Sequence, residues 1–155
     1  MGRHHRRDLG GLLTETTVRR ALMRQLQIDL PDALPLRHED LFTKGIPDLS
    51  LSYAGHTSWW ECKYTATNQC ATTKVQRYLC EQLDLRGFLC RYIIFRRGHN
   101  GKWPREIRVV KPHDVHGTAW RHVGRTISTG AFDYAALVRY IQEEHERHSH
   151  QNHPH

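Results

Sequence analysis

An aspartate, a glutamate and a lysine are spaced in this sequence in a way that suits hydrolytic chemistry. The segment GIPD at 45–48 is followed, after twelve residues, by ECK at 61–63. A hard divalent cation such as Mg²⁺ prefers oxygen ligands, and carboxylates, water and a substrate phosphate commonly complete its shell. The cation polarises a phosphoryl oxygen and activates a bound water, while a neighbouring lysine stabilises developing charge or positions that water. Asp48, Glu61 and Lys63 are therefore the predicted catalytic residues of a phosphodiester-hydrolysing site.

Two adjacent strands must bring these residues together. Alternation along the second strand places Glu61 and Lys63 on one face and turns Trp60 and Cys62 inward on the other. The first strand precedes it across the glycine-containing turn YAGH, so the two should pair antiparallel, with Asp48 beside the end of the second strand. Asp48 and Glu61 are then the predicted metal ligands, and the backbone carbonyl of Cys62 is a third.

Each half of this pattern also has a plainer interpretation. Glutamate and lysine two residues apart are common on exposed strands as a solvated pair, and Gly-x-Pro-Asp is often only a turn that enters a strand. The two halves joined at this distance, with alternating residues between them, indicate a site.

The periodicity of apolar residues predicts the surrounding elements. A helix should begin at Thr14, which can cap it, with Val18, Leu22 and Leu26 at spacings of four and two prolines ending it. Strands are predicted at 36–42, 48–53, 57–64, 88–95 and 106–110, and further helices at 73–85 and 132–146. The near-continuous apolar run of the fourth strand is typical of a strand buried on both faces.

Two of these helices have a recognisable apolar face. In the helix at 73–85 this face is Val75, Leu79 and Leu83, and in the helix at 132–146 it is Leu137, Tyr140 and Ile141. The order of elements predicts a mixed α/β fold with a helix crossing over between strands. We expect a single domain at 1–148, opening with a flexible basic arm at 1–10 and followed by a disordered tail at 149–155.

The charge of the chain suits a polyanionic partner. The net charge is +7 before thirteen histidines are counted, and the isoelectric point is near 9.5. Lysine and arginine neutralise phosphates and release counterions, although a solvated basic surface explains charge alone equally well. No apolar run reaches the roughly 18–20 residues of a membrane helix, and no apolar segment follows the basic N-terminus as in a secretory signal. We therefore expect no membrane association and a cytoplasmic location.

The four cysteines form no C-x-x-C pair, and their spacing matches no common zinc site. Three of them lie beside apolar or aromatic residues. In a reducing compartment they are predicted to be buried, reduced thiols.

The motif GIPDLSL…WWECKY resembles that of the PD-(D/E)XK nuclease superfamily in its E-x-K form. The glycine before I-P-D, the aromatic residue before E-C-K and Gln76 in the next helix are most similar to VRR-NUC-type and Holliday-junction-resolvase-like members. The resemblance covers about residues 12–96 and implies a restriction-endonuclease-like αβββαβ core, with 97–148 as a C-terminal extension. It implies Mg²⁺ or Mn²⁺ as cofactor.

The same resemblance implies two further site residues. Glu15 matches a first-helix glutamate that often joins the metal site, although a first-turn carboxylate also simply suits the helix dipole. Gln76 matches a helical residue next to the active site, although it could equally face solvent.

Several basic residues are candidates for contact with a nucleic-acid backbone. They are Lys44, Lys74, Arg77, Arg96, Arg97, Lys102 and Arg105, with Trp103 as a stacking aromatic. Arg96, Arg97, Lys102 and Arg105 lie in or beside a turn-rich loop predicted at 96–104. An ordinary solvated basic loop without a nucleic-acid contact explains these four residues equally well. Two weaker groups could also contact metal. His38-Glu39-Asp40 fits an edge strand or a surface loop better, and His113 with His116 lacks a third ligand.

Together these features predict a Mg²⁺-dependent endonuclease acting on DNA, at branched or flap structures in one version of the hypothesis. A non-catalytic nucleic-acid-binding module on the same fold is the first alternative. An RNA-processing nuclease that relies on histidine and tyrosine is the second. A homodimer would suit cleavage of both strands, and a small nuclease with a basic arm would suit a phage or another mobile element.

Overall fold

The computed structural model describes residues 13–39, 45–67, 69–98, 105–115 and 119–152, and the side chains of all of these except 119 and 150–152. Its elements in chain order are helix α1 (Glu15–Asp29), strands β1 (Leu34–Arg37), β2 (Leu49–Tyr53) and β3 (His56–Thr65), helix α2 (Lys74–Leu85), strands β4 (Cys90–Arg96), β5 (Glu106–Val110) and β6 (Arg125–Thr129), and helix α3 (Tyr134–Asn152). Two short 3₁₀ turns, Pro112–Asp114 and Ala119–His122, precede β6. The predicted arm at 1–10 lies outside the described residues.

The six strands form one sheet in the order β1-β2-β3-β4-β5-β6. All neighbouring strands are antiparallel except β3 and β4, which run parallel because α2 crosses over between them. The predicted mixed α/β class and the crossover helix are confirmed. In the described parts of the chain, no helix combines the length and the apolar character that crossing a membrane requires.

The two faces of the sheet bury different sets of residues. Helices α1 and α3 pack together on one face, over a core that includes Trp60, Cys62, Ile93 and Phe95. Helix α2 and the 3₁₀ turns cover part of the other face, where a smaller cluster forms around Trp120. Because β4 faces both clusters, its residues are almost all buried, as its apolar sequence predicts.

The start of α1 and the β2–β3 hairpin follow from local sequence. The Thr14 hydroxyl accepts a hydrogen bond from the Thr17 amide, and the Thr17 hydroxyl accepts one from the Thr14 amide, which gives a reciprocal cap. In the hairpin, Ala54 and Gly55 have φ angles of 52° and 83°. Two successive positive φ angles are typical of the turn whose twist matches paired strands. Both predictions are confirmed.

The predicted apolar face of α2 is confirmed for Leu83, which packs against the cluster around Trp120, and is wrong for Val75. Val75 is 52% exposed and Leu79 and Leu83 are only partly buried, whereas Cys80 is buried. Cys80 faces the sheet and forms a disulfide with Cys90 at the start of β4, with 5.8 Å between their Cα atoms. The expectation of reduced thiols is therefore wrong for this pair, which the crossover of α2 brings together. It is confirmed for Cys62 and Cys70, which are free and buried.

Other boundaries differ because long-range contacts set them. Strand β1 covers Leu34–Arg37 and so begins two residues before the predicted start, whereas residues 40–42 of the predicted strand at 36–42 lie outside the described residues. Strand β6 is not predicted by the sequence because RTIST is short and mostly polar. Residues 149–152, predicted to be disordered, continue α3 as helix. The last turns are fixed by hydrogen bonds from His148 to the Gly87 carbonyl and from Ser149 to the Ala54 carbonyl. Leu137 and Ile141 of α3 are buried as predicted.

His145 ties α3 to the hairpin through both ring nitrogens. It is fully buried, its Nε2 donates to the Tyr53 carbonyl at 2.9 Å, and its Nδ1 accepts from the Ser58 hydroxyl at 2.7 Å. Burial is the largest of the causes that together lower its pKa to about 4; His56 and His148 act in the same direction, and the hydrogen bond to the Tyr53 carbonyl and the charge of Glu146 oppose them. The imidazole is therefore neutral at pH 7.

We predict that the contribution of His145 to the free energy of unfolding falls as the pH is lowered from about 6.5 towards about 4. In this range His145 takes up a proton in the unfolded chain, where its pKa is about 6.5, but not in the folded chain, so acid favours unfolding. The measurement is urea denaturation at several pH values. His145→Gln should remove this contribution, so that its free energy of unfolding rises relative to that of the wild type as the pH is lowered, whereas His113→Gln, at an exposed histidine, should follow the wild type. Equal slopes in the wild type and His145→Gln would contradict the prediction.

Candidate active site

Asp48, Glu61 and Lys63 converge at the end of the β2–β3 hairpin. Glu61 is 2% exposed and Lys63 8% exposed, and both lie on the sheet face opposite the buried Trp60 and Cys62. Asp48 immediately precedes β2 and reaches across to β3, where its Oδ2 accepts a hydrogen bond from the Cys62 amide at 3.1 Å. The strand alternation and the antiparallel pairing expected from the sequence place these side chains as observed.

The edge of β3 beyond the last residue pair with β2 is occupied by carboxylates. The Cys62 amide donates to Asp48. The Tyr64 amide, two residues later in the strand, donates to Glu15 Oε1 at 3.2 Å. Because the N–H and C=O of a strand residue point to the same side, the Cys62 carbonyl also faces Asp48. The backbone of β3 thus fixes two carboxylates and presents a carbonyl beside them. Glu15, though in the first turn of α1, is directed at this edge.

The carboxylates of Asp48 and Glu61 are close enough to perturb each other. The pKa of Glu61 is raised to about 9, first by burial and then by its hydrogen bond with Asp48 and the negative charge there. Lys63 opposes this rise and Glu15 adds to it. Like charges in a buried site disfavour ionisation, so a bound cation would stabilise the ionised pair.

Arg19 is a site residue that sequence reasoning missed. Its Nη1 lies 2.9 Å from Asp48 Oδ1, and both side chains are only 17% exposed. The signal that could have found it is its position four residues after Glu15, which places both on one face of α1. Its guanidinium neutralises part of the negative charge and holds Asp48 in place.

Lys63 is oriented by the start of α2. Its Nζ donates to Gln76 Oε1 at 3.1 Å, and the same oxygen accepts from the Thr73 amide at 3.2 Å in the capping box of the helix. The Thr72 hydroxyl contacts both Gln76, at 3.4 Å, and the Tyr92 hydroxyl, at 2.8 Å. Gln76 therefore lies next to the lysine, within a network that runs from α2 to β4.

The remaining predicted contact residues are scattered. Lys74 is exposed and Arg77 partly exposed on the first turns of α2, near Gln76, and Arg97 follows β4 with its amide bonded to the Thr65 carbonyl. Arg96 belongs to β4 rather than to a loop, is 8% exposed and pairs with Glu106 at 2.8 Å, because β5 places that carboxylate opposite it. Arg105 lies immediately before β5 and is exposed, with its guanidinium over the Phe132 ring.

The weaker metal candidates have structural partners where they are described. His38 contacts the Ser50 hydroxyl at 2.8 Å, Glu39 pairs with Arg37, and His113 lies 3.3 Å from Asp114. The other predicted contacts lie outside the described residues: Lys44, Lys102, Trp103, Asp40 and His116.

Among the residues that the structure describes, no group of three or more histidine, cysteine, aspartate or glutamate side chains is arranged to hold a metal ion. The candidate donor set is smaller and consists of two carboxylates and the Cys62 carbonyl. Such an oxygen set fits Mg²⁺, which keeps several waters and takes further oxygens from a substrate phosphate.

Comparison of the chain with protein-family models finds no match, and a search of curated proteins finds none either.

Gly45 fixes the turn that leads to Asp48. Its φ is +94°, and a Cβ added there would lie 2.8 Å from Val75 Cγ1 and 2.9 Å from the Val75 carbonyl oxygen. The turn before β2 is thus packed against the first turn of α2, and a glycine permits both the backbone conformation and the close approach.

We predict that Gly45→Ala destabilises the protein by about 1–3 kcal/mol more than Gly55→Ala, because it adds a backbone collision to the strain of a positive φ. Gly55 has a similar φ of +83° but open space around its Cα. Urea denaturation of both variants measures the difference. Equal destabilisation would contradict the packing of this turn against α2.

Proposed function

We propose that this protein is a metal-dependent nuclease of the PD-(D/E)XK class that hydrolyses DNA phosphodiester bonds. The observation that carries the proposal is the convergence of the Asp48 and Glu61 carboxylates with the Lys63 ammonium at the end of one β-hairpin. The order α1-β1-β2-β3-α2-β4 supports it, since it matches the αβββαβ order of a restriction-endonuclease-like core.

Each residue has a role that its position supports. Asp48, Glu61 and the Cys62 carbonyl would hold Mg²⁺ or Mn²⁺, with Glu15 close by. The cation supplies Lewis acidity and an activated water. Lys63, held by Gln76, positions that water or stabilises charge developing on the phosphate. Arg19 restrains Asp48.

The substrate proposal depends on the surrounding cations. Lys74 and Arg77 extend from the start of α2, beside Gln76, and Arg97 lies where β4 ends next to β3. With a net charge of +7, these side chains suit the phosphates of a DNA backbone that passes the site. Branched or flap structures are the proposed preference, and a homodimer would supply two sites for two strands.

A non-catalytic binding module is a second candidate, and one observation favours it. Arg19 already supplies a cation to Asp48 at 2.9 Å, so the carboxylate has a partner without metal. Such a module would bind DNA in the presence of EDTA and would not turn it over.

The test is cleavage of labelled linear duplex, single strand, flap and four-way junction with Mg²⁺, Mn²⁺ or EDTA. We expect metal-dependent products that fall at least about 100-fold in Asp48→Asn, Glu61→Gln and Lys63→Ala, since each removes a group aimed at the reacting phosphate. Glu143→Gln and Arg139→Ala change the same charges at exposed positions of α3 and should cleave normally.

Two outcomes would overturn the nuclease. Binding of DNA without products from any substrate would favour the binding module. Cleavage of a labelled RNA that persists in EDTA and in Lys63→Ala would point to the RNA-processing alternative.

A further inference from the structure

A basic cavity lies on the sheet face opposite the candidate active site. It has a volume of about 330 Å³ and lies between the C-terminal half of α3, β5 and the starts of β4 and β6. Helix α3 packs on the face that buries Trp60 and Cys62, whereas Glu61 and Lys63 lie on the other. The charged and aromatic residues that line the cavity are Arg91, Lys111, Arg125, Tyr140, Glu144 and Arg147.

The cavity holds more positive than negative charge. Arg91 pairs with Asp84 at 2.6 Å, and Arg147 pairs with Glu144. Lys111 and Arg125 have no carboxylate partner among the residues that the structure describes, and Arg125 instead lies over the Tyr140 ring, 5.4 Å from its centroid. Two positive charges therefore remain after the ion pairs are counted.

Three of the cations lie close enough to Tyr140 to act on its hydroxyl. Burial raises the pKa of Tyr140, and Arg91, Arg125 and Arg147 all oppose that rise. Glu143, which lines a smaller adjoining cavity together with Arg125, acts in the opposite direction. The Arg91 side chain is only 16% exposed, which distinguishes it from a freely solvated charge.

We propose that this cavity binds a phosphate monoester, carried either by a free mononucleotide or by the 5′ end of a nucleic acid. Arginine and lysine bind phosphate oxygens by charge-assisted hydrogen bonds, and the Tyr140 hydroxyl can donate another. A phosphate monoester carries a charge of about −1.5 to −2 at neutral pH, which matches the two uncompensated cations. Leu89 and Val109 add apolar atoms to the lining on this face of the sheet.

This proposal goes beyond nuclease activity and does not depend on it. The cavity shares none of its lining residues with the candidate active site, so a ligand can occupy it whether or not the chain cleaves DNA. In a nuclease it would hold the end of a strand, or a product nucleotide, away from the reacting phosphate.

The test is calorimetric titration at pH 7.5 in about 0.15 M salt with EDTA, where exposed charges are screened and cleavage is prevented. The probes are inorganic phosphate, adenosine monophosphate, adenosine, and one oligonucleotide with either a 5′-phosphate or a 5′-hydroxyl. We expect the phosphorylated probes to bind and adenosine not to bind. Tighter binding of the nucleotide than of the phosphorylated oligonucleotide assigns the free ligand, and the reverse assigns a strand end.

Two double variants separate the cavity from general charge. Lys111→Gln with Arg125→Gln should weaken phosphate-dependent binding at least tenfold, whereas Arg20→Gln with Arg24→Gln removes the same charge from exposed positions of α1 and should change it less than twofold. Arg139→Gln, at an exposed position of α3, should bind like the wild type, which separates this cavity from the rest of the helix surface. Equal weakening in both double variants, equal binding of adenosine, or no phosphate-dependent binding would overturn the proposal.

Discussion

The close approach of two carboxylates, Asp48 and Glu61, is the interaction that organises this structure. Burying like charges together is unfavourable, which is why the pKa of Glu61 is raised, and the surrounding fold offsets part of this cost. The Cys62 amide and Arg19 both contact Asp48, at 3.1 and 2.9 Å, and Lys63 lowers the pKa of Glu61 against the effect of burial. Helix α1 contributes through Arg19 and Glu15, and α2 contributes through Gln76, so both sides of the sheet participate in holding one small group of charges.

The hairpin geometry determines where that group can form. Strand β2 ends its pairing at Leu49, opposite Trp60, which leaves the next amides on that edge of β3 without a strand partner. Unpaired buried amides are costly, and the carboxylates of Asp48 and Glu15 satisfy two of them. The tight turn at Gly45 brings Asp48 to this edge and contacts α2. The hydrogen bonds that pair these backbone amides therefore also position the carboxylates of the site.

Local sequence patterns predict part of the fold and of the candidate site. The alternation of Trp60, Glu61, Cys62 and Lys63 fixed which side chains share a face, because a strand has a period of two residues. The positions of Arg19 and of the Cys80–Cys90 disulfide depend instead on how helices dock on the sheet, which no local spacing encodes. Helix α2 also shows that local patterns do not determine packing. The periodicity of its apolar residues predicts the helix, but Val75 on the predicted apolar face is exposed and Cys80 is buried. Nuclease activity stays a prediction that rests on the site.

The most direct measurement of the central claim is calorimetric titration of the protein with Mn²⁺ at pH 7.5. If Asp48 and Glu61 form a cation site, the wild type binds one Mn²⁺ per chain. Asp48→Asn and Glu61→Gln should each abolish binding, and Glu143→Gln, at an exposed position of α3, should leave it unchanged. Removal of a ligand lowers metal affinity strongly because few protein groups hold such a cation. Absence of Mn²⁺ binding, or undiminished binding in Glu61→Gln, would contradict the account.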